Sequence, residues 1–187
     1  MGLLGWLTKK KNPNRVKVDA WHRRWKDACT APSPEAVAEL GSALDALAIP
    51  EEEIEIEREM LAGLQHLVEV RSSLADGALP LIETGHRVVG TDRCHFSAPV
   101  SMPDETAQPS GRLILTNVRA IFAGGGKATT VPWHAVGNVV HQERDVILVR
   151  RDRETIHRFR CNVFADALEA AWLARTLADG VKRPRSV

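Results

Sequence analysis

No run of about 18 apolar residues occurs in this 187-residue chain, so no membrane-spanning helix is expected. Cysteine is scarce. Cys29, Cys94 and Cys161 are odd in number and widely spaced, and no Cys-x-x-Cys is present. That excludes a disulfide scaffold, removes the strongest zinc signature and suits reduced thiols in the cytoplasm. The seven histidines form neither His-x-His nor His-x-x-x-His. The best Cys/His pair, Cys94 and His95, would point to opposite faces of a strand. No Gly-x-Ser-x-Gly elbow occurs, and Gly124-Gly125-Gly126-Lys127 lacks the spacing and the following Ser or Thr of a phosphate loop. The sequence therefore offers no catalytic residue, no metal ligand set and no cofactor site.

Excess charge of one sign is also missing: 25 Lys+Arg stand against 24 Asp+Glu. The charges are nonetheless segregated. Residues 1–29 hold 8 basic and 2 acidic side chains, residues 30–84 hold 2 and 12, and residues 85–187 hold 15 and 10. Blocks of opposite sign favour docking between polar surfaces, and nucleic acid is not the expected partner. With 44% hydrophobic residues, the chain can build a core without staples.

The first half reads as helices. Asn14 is positioned to cap a helix from Arg15 to Cys29, with Val18, Trp21, Trp25 and Ala28 at helical spacing. Ser33-Pro34-Glu35 is a helix start, and Ile49-Pro50-Glu51 reads as another. The run Leu47–Glu53 faintly resembles acidic helical modules related to tellurite-resistance proteins, and reads equally as a generic helix start. From Gly85 the period changes to two. Cys94, Phe96, Ala98 and Val100 alternate with polar residues, and hairpins are expected around Asn117, around Glu143-Arg144-Asp145 and around Arg151–Glu154. An amphipathic helix from Phe164 to about Ala178 follows, with Gly180 as its expected stop. The expected division is a flexible segment 1–13, a helical domain 14–80, a β domain 81–180 and a disordered tail 181–187.

Gly111-Arg112-Leu113-Ile114-Leu115-Thr116-Asn117-Val118-Arg119-Ala120-Ile121-Phe122 resembles the hairpin of bacterial pleckstrin-homology-like and GRAM-like domains. Val131-Pro132-Trp133-His134-Ala135-Val136 and the closing hairpin resemble their continuation, so the likeness covers about residues 85–178. It implies an α+β chain: a small N-terminal helical bundle, then a pleckstrin-homology-like antiparallel barrel closed by a C-terminal helix. The motif itself has structural work to do. Asn117 suits a positive-φ turn, Thr116 can bond locally, Arg119 can cross to a carboxylate, and Leu113, Leu115, Ile121 and Phe122 are available to the interior.

Two surfaces are candidates for function. Arg144, Arg150, Arg151, Arg153, Arg158 and Arg160 gather on one hairpin, where like charges repel unless an anionic or acidic surface meets them; the other reading, which the sequence favours, is a solvated edge hairpin laced by Asp152 and Glu154. Leu3, Leu4, Trp6 and Leu7, followed by Lys9, Lys10 and Lys11, could lie at a membrane interface or pack on protein. The N-terminus has the reverse order of a signal peptide, and Trp6 sits where a myristoylation motif wants Ser or Thr. The expectation is a cytoplasmic, non-catalytic binding or scaffolding module that recognises a protein or itself. Trp21, Trp25, Trp133 and Trp172 are large anchors of the sort found in interface cores, and folded cores use them too. The alternative is peripheral contact with an anionic membrane, and a metal-binding or enzymatic role ranks third.

Overall fold

The computed structural model describes residues 13–74, 77–124 and 126–182. It places the chain in two compact units, residues 1–61 and 62–187. The expected boundary near residue 80 thus falls inside the second unit, and the expected tail, apart from residues 181 and 182, lies outside the described residues.

The first unit contains α1 (Pro13–Thr30), α2 (Pro34–Asp45), a single 3-10 turn (Glu51–Glu53) and the start of α3 (Glu55–Ser72). Asn14 lies inside α1 rather than capping it. The second start is as expected: the Ser33 hydroxyl accepts from the Ala36 N–H at 3.2 Å, and Pro34 opens the helix. The Pro50 start gives only the 3-10 turn, and α3 begins after Ile54. Trp21 and Trp25 are core, not anchors. Each is almost wholly buried, and their indole N–H groups donate to the Leu40 and Met60 carbonyls at 3.0 and 2.9 Å. An indole that buries its ring must also satisfy its N–H, and both do so on a neighbouring helix.

The second unit is a seven-stranded antiparallel sheet: β1 (Cys94–Ser101), β2 (Ser110–Thr116), β3 (Arg119–Gly124), β4 (Lys127–Pro132), β5 (Val136–Gln142), β6 (Asp145–Arg150) and β7 (Ile156–Cys161). Their order is β4-β3-β2-β1-β7-β6-β5, so β4 and β5 form the two ends of the sheet. The helix α4 (Phe164–Lys182) packs across it. This α+β plan is that of the pleckstrin-homology-like fold.

One face of each strand builds the main core: Phe96, Ala98 and Val100 with Leu113, Leu115, Phe122, Trp133, Val146, Leu148 and Phe159. The α4 side chains Ala167, Ala171, Leu173, Ala174 and Leu177 complete it. Trp133 is fully enclosed and donates to the Thr116 carbonyl at 2.7 Å, while Trp172 packs half-buried on the core. Neither is a free anchor.

A register shift between Cys94 and Phe96 breaks the alternation. Cys94 therefore joins Val89, Ile114 and Ile121 in a second, smaller cluster instead of following Phe96, and Ile121 is there rather than in the main core. His95 is buried as well, its Nδ1 2.7 Å from the Pro80 carbonyl. The β2–β3 turn does not use a positive φ at Asn117. The Asn117 side chain instead accepts from the Arg93 N–H at 2.8 Å. Thr116 accepts from the N–H groups of Val118 and Arg119, and Arg119 reaches Asp92 at 3.0 Å as expected.

Within the second unit, the last turns of α3 lie against the start of α4. A Cβ on Gly63 would stand 2.9 Å from the Ala165 nitrogen and 3.0 Å from the Phe164 carbonyl carbon. His66 Nε2 lies at hydrogen-bond distance, 3.1 Å, from a Glu169 carboxylate oxygen. Gly180 does not stop α4, which runs through it to Lys182, and nothing lies near its missing Cβ. The two glycines should therefore respond in opposite directions. Gly63→Ala pushes on backbone that cannot swing away, and should destabilise by about 1–3 kcal/mol despite the better helix former. Gly180→Ala should stabilise by roughly 0.5–1 kcal/mol at most. Urea melts of the three proteins check this, and equal shifts for both would contradict the close approach of α3 to α4.

Candidate functional site

The arginines of the β6–β7 hairpin occupy three environments. Period-two alternation sends Val146, Leu148 and Phe159 inward, so Arg158 and Arg160 share the outer face of β7. There Asp145, buried to 7% exposure at the start of β6, takes Arg160 in a two-point bond at 2.8 and 3.0 Å. This bond holds Arg160 more firmly protonated. Arg158 lies 3.8 Å from the same carboxylate and 3.4 Å from Asp104 of the β1–β2 loop. Arg144, in the two-residue β5–β6 turn, lies over the Phe164 ring at 4.9 Å. These three are engaged by their own unit.

Arg150, Arg151 and Arg153 differ. With Gly137, Asn138 and Val149 they line a depression of about 480 Å³. A register shift between Val136 and Asn138 makes Gly137 the extra residue of a bulge in β5. Glycine suits it, because a Cβ would come 3.2 Å from the Arg151 Cα and the neighbouring backbone would have to give by a few tenths of an ångström. Arg151 is steadied by donation from Nε to the His134 carbonyl at 2.8 Å. The Arg153 backbone is held at φ 62°, a left-handed conformation that a long side chain adopts at a penalty of about 1–2 kcal/mol. Arg150 Nε is out of solvent and makes no hydrogen bond among the described residues, its nearest carboxylate oxygen being Asp152 Oδ2 at 3.6 Å. Asp152 is committed elsewhere. Its Oδ1 accepts from the N–H groups of Glu154 and Thr155, each at 3.1 Å, and the Thr155 bond chiefly lowers its pKa. No lining residue is acidic.

Sequence reading found the arginines but neither Gly137 nor Asn138. The β5 bulge could have been suspected from a glycine one residue into a β-branched strand. The candidate segment Leu3, Leu4, Trp6, Leu7, Lys9, Lys10 and Lys11 lies outside the described residues. A groove that the sequence did not signal runs between Leu81–Thr84 and Val89–Cys94, with Leu81 66% exposed on it. The Ile82 N–H donates to the Cys94 carbonyl at 3.0 Å, which holds this extended stretch to the start of β1.

Burial favours the neutral form of Cys94, Cys161 and His157. Burial pushes the Cys161 thiol up to about 12 and raises Cys94. Burial first, then the charge of Arg150, lowers His157. Among the described residues no group of three or more His, Cys, Asp or Glu could hold a metal ion, and no helix is long and apolar enough to cross a membrane.

The strand order and the helix laid across the sheet define a pleckstrin-homology-like domain. No family model matches the chain, and no curated protein matches it. Among solved structures, the C-terminal domain of an unknown protein from Leishmania infantum is similar at 11% identity and a TM-score of 0.41, over 48% of this chain and 88% of that one. The DH/PH domains of a p115-RhoGEF point mutant are similar at 6% identity and a TM-score of 0.43, over 91% of this chain and 57% of that one. An N-terminally truncated linker-DH/PH form of p115-RhoGEF gives 7%, 0.40, 91% and 56%. This chain thus spans a little over half the length of the p115-RhoGEF structures.

His141 on β5 supplies a pH test. Burial, reinforced by the charge of Arg175, pushes its pKa down to about 4 from an ordinary 6.5, so the folded protein keeps it neutral. Unfolding lets it bind a proton between those values. Its contribution is therefore complete above about pH 6.5 and is lost as the pH falls toward 4, by up to about 3 kcal/mol. Unfolding free energies measured from pH 7.5 to 4 should fall less steeply for His141→Gln than for the parent. Parallel curves would show that His141 is solvated.

Proposed function

We propose that this protein is a non-catalytic binding or scaffolding module acting through protein–protein recognition or self-association. The observation that carries the reading is the Arg150, Arg151 and Arg153 depression, a concave cationic surface with no acidic lining. Guanidinium groups in this setting recognise carboxylates through paired hydrogen bonds. Bacterial, GRAM-like kinship is the finer assignment that the Thr116–Phe122 motif supports, and a cytoplasmic location fits the buried thiols Cys94 and Cys161. The same cationic surface favours a second reading, peripheral attachment to an anionic membrane, which the basic segment at residues 9–11 would assist.

The absence of catalysis is part of the proposal. Cys94 and Cys161 are buried, and burial raises both thiols away from the reactive thiolate. Neither should be alkylated by iodoacetamide in the folded protein at pH 7.5, as mass spectrometry would record. Rapid labelling of either would reopen a nucleophilic role.

Recognition is tested with Arg151→Glu/Arg153→Glu. The parent should either gain mass with concentration in light scattering or retain a discrete protein partner that the variant loses. A strict monomer whose retained proteins match those of the variant would remove the reading. On the second reading, the parent should sediment with anionic vesicles at low ionic strength, where the attraction is strongest, and the variant should not.

A further inference from the structure

The arginine depression and the exposed carboxylates that begin α3 are complementary in charge and in shape. Glu52 and Glu53 on the 3-10 turn and Glu55 at the first position of α3 are exposed, and none forms an ion pair with another described residue. Their neighbour Glu51 is already taken, with Asp45, by Arg58. Directly after these acids stands Ile56, 58% exposed, an aliphatic knob on a helix whose Met60, Leu64 and Leu67 are buried. The depression reverses this pattern. Val149 and the side-chain-free Gly137 give it an apolar part, and Arg150, Arg151 and Arg153 ring it. A knob among carboxylates thus matches a hollow among guanidinium groups.

We infer that the occupant of the depression is a second copy of this chain, which inserts Ile56 and sets Glu52, Glu53 and Glu55 against Arg150, Arg151 and Arg153. This rests on the self-association reading above and specifies its surfaces. The two surfaces are different patches, so the contact is heterologous. Each copy offers one patch of each kind, and association continues into rings or open chains rather than halting at a two-fold dimer. The attraction is electrostatic in reach, so it is strongest at low ionic strength and fades once the Debye length falls to a few ångström, at about 1 M salt.

The test is light scattering across concentration and salt for the parent, for Arg151→Glu/Arg153→Glu and for Glu52→Lys/Glu53→Lys, each first shown by circular dichroism to melt as the parent does. At low ionic strength the mass of the parent should climb with concentration past that of a dimer, and high salt should return it to 20.6 kDa. Each variant alone should associate at least tenfold more weakly. An equimolar mixture of the two should associate again, because each then meets the opposite charge, and this recovery also excludes misfolding as the cause of the loss. Ile56→Ala, which keeps both charge sets and removes the knob, should weaken association in the same way. A parent that stays monomeric overturns the inference and leaves recognition of another protein standing. Association that ignores salt and all three variants overturns it while leaving self-association standing. Loss in both variants without recovery in the mixture overturns it too.

Discussion

The second unit depends on one constraint: β4 and β5 end the sheet without pairing, so its apolar concave side must be covered by something other than strands. The cover is α4. Its small side chains Ala167, Ala170, Ala171, Ala174 and Ala178 bring the helix close to the sheet, while Leu173 and Leu177 fill the space between. Trp133, between β4 and β5, sits where the sheet is open and is fully enclosed there. Removing a side chain of that size from such a place typically costs about 3–5 kcal/mol. Its indole N–H, bonded to the Thr116 carbonyl, ties the β4–β5 connection back to the β2–β3 turn. The motif residues Thr116, Asn117 and Arg119 thus serve closure, which is why a fold signature carries no chemistry of its own.

The same alternation that fills the interior decides which charges remain outside. Inward Phe159 forces Arg158 and Arg160 to one outer face, and the buried Asp145 absorbs them there. A buried carboxylate without such partners would be strongly unfavourable, so the arrangement is structural before it is functional. Past Arg150 the ladder ends, alternation no longer applies, and the turn displays Arg151 and Arg153 beside the β5 bulge. A cluster of six arginines by sequence is therefore two sets by structure, three held within their own unit and three lining a hollow.

Much of the architecture was legible because turn chemistry and periodicity are local. The hairpins, Ser33 as a cap and the closing helix follow from residues within a few positions of one another. What escaped the sequence was decided at longer range. The shift at Cys94 reverses the face of one residue and sends it to a different cluster. Gly137 reads as an ordinary weak strand position until the β6–β7 turn is known to pass against it. Gly180 carries a stop signal, yet α4 continues because a helix already docked along its length tolerates one glycine. The tryptophans stayed ambiguous in the sequence for a related reason. A large amphipathic ring suits an interface and a core alike, and only the partner of the indole N–H tells them apart.

Charge segregation along the chain acquires a physical meaning at this point. If the acidic and basic blocks served solubility alone, their carboxylates and guanidinium groups would be dispersed and paired locally, as Arg58 is with Asp45 and Glu51. Instead the pairing stops short on both surfaces. Glu52, Glu53 and Glu55 stand outside the Arg58 network, and Arg153 stands outside the Asp145 and Asp152 networks among the described residues. Unpaired exposed charge has little effect on the stability of a monomer. In the self-association proposed above, such charges steer encounter and reject wrong registers. A strained backbone at Arg153 and a glycine bulge at Gly137 are features that packing alone does not require. Both act on the same hollow, one by directing a cation to its rim and the other by keeping its floor open.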